Sequence, residues 1–142
     1  MTSIALSTYG LASSGAIRDY EAQLKALKQH DTDIDHEVFG GISCRTAHIP
    51  GGMSFVGQVH KHDHINIVVG DITIVTDDGT VRLTGYNVLP TKAGSKRVAY
   101  THAPTTWTTI HATDLTDVQA IEDWAVEDSS QLTTRLPQIT KD

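Results

Sequence analysis

Short segments of alternating apolar and polar residues, separated by turn residues, fill the middle of this chain from residue 38 to residue 113. Side chains of a strand alternate between the two faces of a sheet, so this pattern is typical of strands with one buried face. Asp78-Gly79 between two such runs indicates a β-hairpin. The predicted strands are 43–49, 54–60, 64–69, 72–76, 81–84, 97–100 and 105–113. Their spacing predicts a mainly β protein, built as an antiparallel sandwich or barrel.

Helices are predicted on both sides of the strand-rich segment. Apolar residues at helical spacing predict the first helix, from about residue 15 to residue 29. A capping-box pattern at Thr116 and Gln119 begins the second. Residues 114 to 128 contain six carboxylates and no basic side chain, which predicts a solvated acidic face for this helix. We therefore expect one domain in three parts: an N-terminal helical segment (1–37), a barrel (38–113), and a C-terminal helix with a tail (114–142).

Composition narrows the classes of partner. The 142 residues carry a net charge of −6, which disfavours nucleic acid as a partner because nonspecific binding needs a basic surface. No apolar run approaches the ~20 residues of a membrane span, and the first residues lack the features of a secretory signal. Cys44 is the single cysteine, so no internal disulfide can form. These features predict a cytoplasmic protein without a membrane or nucleic-acid partner.

Three histidines at alternate positions, His60, His62 and His64, lie in the run 57–69. If this run is one strand, all three imidazoles point to the same face. Neutral imidazoles inside a barrel are ligands for one divalent transition metal: zinc, iron, nickel, copper or manganese. The alternative is that they are polar residues on a solvated strand face. His111, on the last predicted strand, is the candidate ligand from a neighbouring strand.

Strand geometry separates the possible ligand sets. Residues four apart on a straight strand, such as His60 and His64, are separated by about 13 Å at ~3.3 Å per residue. These two can share one ion only if the strand bends, or if a turn or bulge intervenes between them. The pairs His60/His62 and His62/His64 would converge more easily. The residues alone leave these alternatives open.

Other polar and aromatic residues are candidates for supporting roles. Asn66 and Thr109 are candidates to hold the second ring nitrogen of a metal ligand. Arg97 can bind a carboxylate or phosphate, and a surface ion pair is the alternative. Tyr100 and Trp107 are further candidates for contact with a small ligand, although Trp107 also fits a core position.

The segment from residue 50 to residue 111 resembles a small single-domain cupin, which is a double-stranded β-helix or jelly roll. It is more narrowly similar to short cupin-like proteins of unknown function that phage and prophage genomes encode. The residues that carry the resemblance are 49–52, Gly57 with His60, 64–67, 94–100 and 105–111. The resemblance implies a jelly-roll fold, a metal site, a phage-related origin and a location in the host cytoplasm.

The chain departs from the general cupin pattern, in which the first motif supplies two histidines and a glutamate and the second supplies one histidine. Aligned from one end, Gln58 replaces the first histidine and His64 takes the glutamate position; aligned from the other, His60 and His62 form the pair and Asn66 replaces the glutamate. In the second motif Arg97 stands where histidine is usual. A protonated guanidinium cannot ligate a metal. His111 is then the candidate for the missing ligand.

Three functions are compatible with these features. The first is a metal-binding cupin that acts on a small polar molecule. The second is a non-catalytic binding module for a small anionic ligand such as a sugar phosphate or a signalling nucleotide, which Arg97 favours. The third is a virion or assembly accessory protein whose metal only stabilises the fold. Jelly rolls often pair edge strands, so we also expect a homodimer.

Overall fold

The computed structural model describes residues 17–18, 32–76 and 78–132, and the strands among them form one antiparallel sheet. The strands are β1 (Asp33–Phe39), β2 (Ile42–Ile49), β3 (Ser54–Val56), β4 (His64–Thr76), β5 (Gly79–Thr91), β6 (Val98–Thr101) and β7 (Thr105–Ala112). The helix α1 (Val118–Ala125) and a short 3₁₀ turn (Ser129–Gln131) follow the sheet. The prediction of a mainly β fold with antiparallel strands and a helix after them is confirmed.

Strand β4 organises the sheet because it pairs with three other strands. The strand order is β1-β2-β7-β4-β6-β3, and β5 pairs with β4 along its whole length. On the other edge of β4, residues Ile65 to Val69 pair with β7, and residues Ile72 to Val75 pair with β6. The sheet therefore curls around one concave face, like half of a barrel.

Gly70 lies where β4 passes from β7 to β6. Its φ of 150° is rarely adopted by residues with a side chain, and it pairs across the hairpin with Gly85, whose φ is 71°. A Cβ on Gly70 would overlap Thr105, with that residue's Cα only 2.8 Å away. Glycine is required here by both the backbone conformation and the close approach of Thr105.

Several predicted strand boundaries are wrong. The runs 64–69 and 72–76 are one strand, because Gly70 between them stays paired with Gly85 of β5 and does not interrupt the strand. The run 81–84 extends to Gly79–Thr91, with Pro90 tolerated because β5 pairs on one side only. The run 54–60 ends at Val56.

The N-terminal region holds a strand that the sequence analysis did not predict. Strand β1 starts at Asp33, within the segment 1–37 that was expected to be helical. The helix predicted from 15 to 29 falls outside the described residues except for Ile17 and Arg18, which are helical, with Ile17 fully buried. The predicted tail is likewise outside the described part after Leu132.

The hydrophobic core lies on the concave face of the sheet and under α1. One cluster joins Val68, Ile72, Ile74 and Ala99, with Trp107 packed against it. Another cluster brings α1 and the turn after it into contact through Ala125, Val126 and Leu132, with Trp124 beside them.

The N-cap of helix α1 lies one residue later than predicted. Asp117, not Thr116, is the N-cap, and its carboxylate accepts a hydrogen bond from the backbone N–H of Ala120 at 2.9 Å. Glu122 is only 4% exposed, so the acidic residues of this helix do not all lie on a solvated face. The helix therefore turns one carboxylate toward the inside of the sheet.

We predict that Gly70→Ala lowers the free energy of unfolding by more than about 3 kcal/mol, through backbone strain plus overlap with Thr105. Gly85→Ala is the matched control, because its φ is positive but nothing lies within 4 Å of the added Cβ. Gly85→Ala should lower the free energy of unfolding only through backbone strain, by about 1–2 kcal/mol. Urea unfolding followed by circular dichroism measures both, and equal losses would contradict the role given to Thr105.

Candidate metal centre

Three histidines converge on the concave side of the sheet. His60 follows β3, His64 is the first residue of β4, and His111 lies on β7. One ring nitrogen of each lies within 4.8 Å of the others. The ring centroids of His60, His64 and His111 are 4.4 to 5.0 Å apart, and Nδ1 of His60 is 2.9 Å from Nε2 of His111. These three residues are hereafter called the histidine triad.

A turn between His60 and His64 makes their convergence possible. The run 57–69 is not one strand, because β3 ends at Val56 and β4 begins only at His64. The carboxylate of Asp63 anchors the turn by accepting a hydrogen bond from the backbone N–H of Ala93 at 2.8 Å. Of the alternatives set by strand geometry, the structure has the one in which a turn intervenes.

His62 does not join the triad. Its ring stacks on Trp124 of α1, with centroids 4.1 Å apart and planes 19° from parallel. The turn that brings His60 to His64 rotates the residue between them out of the strand alternation, so His62 contacts the helix instead. Pairing of β4 with β7 supplies the third member, because Ile65 lies opposite Ile110 and the residues next to this pair, His64 and His111, have ring centroids 4.7 Å apart.

The triad is neutral near neutral pH. Burial, followed by the neighbouring His64 and His111, lowers the pKa of His60 to about 3. Burial also lowers the pKa of His111 to about 4, with smaller effects from His64 and His62. The pKa of His64 is lowered as well, chiefly by burial. Neutral imidazoles keep a lone pair, which is the form that binds a metal ion.

A backbone carbonyl orients His64. Its Nδ1 lies 2.9 Å from the carbonyl oxygen of His62, and since a carbonyl only accepts, Nδ1 donates and Nε2 keeps its lone pair. Asn66 was a candidate to hold the second ring nitrogen of a ligand, but Nδ1 of His64 is held by this carbonyl. The amide Nδ2 of Asn66 lies 3.3 Å from Nε2 of His64 instead.

Asn66 is the centre of a buried polar network. Its Oδ1 accepts hydrogen bonds from Nε1 of Trp107 and Oγ1 of Thr109, both at 2.9 Å. Its Nδ2 donates to Oγ1 of Thr91 at 2.9 Å. Thr109 therefore acts on Asn66 and not on an imidazole. The network links β4, β5 and β7 directly beside His64.

A cavity of about 240 Å³ opens beside the triad. Arg97 and Trp107 line it, as the sequence analysis expected of ligand-contacting residues. Tyr100 does not line it: alternation along β6 places Ala99 on the cavity side, and the ring of Tyr100 contacts His102 at 5.0 Å. Trp107 also packs edge-to-face on Phe55 at 6.2 Å, so it serves both the cavity wall and the core.

His36, Arg45 and Glu122 also line the cavity and form a charged group that the sequence did not predict. Oε2 of Glu122 lies 3.9 Å from Nε2 of His36, and the negative charge of Glu122 raises the pKa of Arg45 against the larger lowering effect of burial. His36 and Arg45 face each other across β1 and β2. These residues meet because the register of β1, which was not predicted, places His36 opposite Arg45, and because α1 buries the carboxylate of Glu122.

The chain matches no family model and no curated protein. Solved structures with a similar fold include a cupin-2 domain protein from Shewanella frigidimarina, with TM-score 0.47, 14% identity, and coverage of 66% of this chain and 91% of that one. A cupin superfamily protein from Desulfitobacterium hafniense has TM-score 0.47, 14% identity, and coverage of 63% and 86%. An uncharacterised double-stranded β-helix protein from Klebsiella pneumoniae has TM-score 0.49, 13% identity, and coverage of 61% and 80%.

These similarities concern the fold alone. Among the described residues, no helix is long and apolar enough to cross a membrane.

We predict that the metal-free protein loses stability as the pH falls from 6.5 to about 5. Between the unfolded pKa of 6.5 and the folded values near 3 and 4, the unfolded chain binds protons that His60 and His111 in the folded chain do not. Each imidazole contributes a slope of up to about 1.4 kcal/mol per pH unit. Urea unfolding at a series of pH values in the presence of chelator measures the slope.

The double variant His60→Gln, His111→Gln should flatten that profile. His48→Gln is the control, because it removes an exposed imidazole outside the triad and should keep the pH dependence that His60 and His111 cause. An unchanged slope in the double variant would refute the assignment of neutral, buried imidazoles.

Proposed function

We propose that this protein is a small metal-binding cupin that holds one divalent transition metal at the histidine triad and presents it to a small polar molecule in the adjoining cavity. The observation that carries the proposal is that one ring nitrogen of each of the three imidazoles lies within 4.8 Å of the others, and that all three rings line one cavity. Imidazoles gathered in this way lose hydration of their polar atoms, which a shared cation would offset.

The nitrogens of the triad fit a metal ion. Two nitrogens bound at about 2.1 Å in a tetrahedral site would lie about 3.4 Å apart. Nδ1 of His60 and Nε2 of His111 lie 2.9 Å apart, within hydrogen-bonding distance, so a small outward shift of one ring would bring both nitrogens to one ion. An all-nitrogen set suits zinc, iron, nickel or copper better than calcium or magnesium, and manganese is retained as a candidate.

Three protein ligands would leave coordination positions open toward the cavity. Bound there, the ion would supply Lewis acidity to a coordinated oxygen or nitrogen atom. The chain itself positions the imidazoles, through the carbonyl of His62 and the turn anchored by Asp63. Apolar walls around Phe55 and Ala99 would exclude water from a molecule bound beside them.

A binding module without turnover is the second candidate, and the presence of Arg97 in the same cavity favours it. The virion or assembly accessory role has no comparable support, because a purely structural metal is usually enclosed by four protein ligands. The phage-related origin and the location in the host cytoplasm stay predictions.

The homodimer also stays a prediction. Exposed apolar residues on the outer face of β4 and β5 support it: Val69 and Tyr86 pair across the hairpin and are 41% and 68% exposed. Burial of such residues against a second copy would be favourable.

Protein purified without chelator should contain close to one equivalent of a transition metal per chain. The double variant His60→Ala, His64→Ala should lose it, because two of the three ligands are removed. Mass spectrometry of metal content after dialysis measures the ratio, and circular dichroism establishes that the variant is folded.

Two single variants serve as controls. His62→Ala tests a residue of the same sequence run that stacks on Trp124, and His48→Ala tests an exposed imidazole. Both should keep the metal. Retention of metal by the double variant, or equal loss in His62→Ala, would overturn the assignment of the site.

A further inference from the structure

Arg97 is a charged residue that lines the cavity, and the proposed metal site gives it no role. It precedes β6, is partly buried, and lines the cavity together with the histidine triad. Its backbone is held in place, since the carbonyl of Arg97 accepts a hydrogen bond from the N–H of Gly57 at 3.1 Å. Its charge lies close enough to the triad to lower the pKa of His60 and His64.

Two other described arginines, Arg82 and Arg45, lie near carboxylates whose negative charge acts on them. Arg82 forms two hydrogen bonds with Asp71, at 2.9 and 2.8 Å, on the surface. Arg45 lies in the cavity near Glu122, whose negative charge acts on it. Within the described part of the chain, by contrast, the guanidinium of Arg97 makes no hydrogen bond or ion pair. Burial alone lowers its pKa, with no carboxylate acting on it.

A partly buried guanidinium without a counter-charge is unfavourable, because it loses hydration and gains no partner. Its five N–H donors form a planar fork that matches the two oxygens of a carboxylate. The cavity supplies what such a ligand needs: open space of about 240 Å³ next to the fork, and apolar walls that include Met53, Phe55 and Ala99. At about 30 Å³ per water molecule, this space suits a ligand of roughly ten or fewer non-hydrogen atoms.

We propose that Arg97 is the anchor for the carboxylate of a small, singly charged organic acid, whose remaining atoms extend through the cavity toward the histidine triad. This deepens the proposed function by naming its ligand class, and rests on that function for the use of the cavity as a ligand site.

The charges in the cavity favour a monoanion over a phosphate ester. Arg97 supplies one positive charge that no described carboxylate opposes, whereas the negative charge of Glu122 acts on Arg45. A phosphate carries up to two negative charges, so a single guanidinium would leave its second charge without a cation, in a cavity that Glu122 also lines. The apolar walls further favour an acid with a short hydrocarbon part.

Calorimetric titration with butyrate, its neutral analogue butyramide, and inorganic phosphate tests this assignment. Butyrate should bind at least tenfold more tightly than butyramide and more tightly than phosphate. Arg97→Gln should weaken butyrate binding at least tenfold and leave butyramide binding unchanged, and Arg97→Lys should restore part of the loss because it keeps the charge without the fork. Arg82→Gln is the matched control and should bind butyrate like the unaltered protein.

The titrations are made with metal-free and with metal-loaded protein. Arg97→Gln should keep its full metal content, because it removes no ligand of the triad, so failure of the anion site and failure of the metal site are seen separately. Butyrate that binds the unaltered protein no better than butyramide, unchanged butyrate affinity in Arg97→Gln, or tighter binding of phosphate would each overturn the proposal.

Discussion

The long strand β4 exchanges its hydrogen-bonding partner halfway along its length, and the rest of the molecule depends on that exchange. Its first half pairs with β7 and its second half with β6, while β5 covers the other edge throughout. Gly70 makes the transition because it can combine a φ of 150° with close contact to Thr105. A sheet that curls in this way has a concave face, and that face holds both the core and the cavity.

The histidine triad depends on this curl and on one short turn. His111 belongs to β7, His64 to the start of β4, and His60 to the segment before the turn. The same turn contacts the end of α1, since the N–H of Lys61 donates to the carbonyl of Ala125 at 2.8 Å. The helix thus closes over the open side of the sheet and completes the burial that keeps the imidazoles neutral.

Burial has opposite consequences for the groups around the cavity. It favours the neutral form of the imidazoles, in which one ring nitrogen of each keeps a lone pair. It cannot neutralise the arginines, whose charge persists and must be met by an anion. The negative charge of Glu122 of α1 acts on Arg45, whereas Arg97 meets no carboxylate among the described residues. The cavity is therefore lined both by the histidine triad and by cationic side chains.

Local pattern was enough to predict the mainly β fold and the helix after the sheet, because alternation is a property of short segments. It named His60, His64 and His111 as candidate ligands together with His62, which the structure places against Trp124 instead. It could not predict that Gly70 and Gly85 lie within strands, since their pairing depends on a hairpin partner. Tertiary structure decided among the ligand sets that the residues left open, because the turn before β4 takes His62 away from His60 and His64. It also decided that Arg45 and Glu122 share the cavity and that Arg97 meets no carboxylate among the described residues, because contacts between distant segments follow from strand register and helix packing.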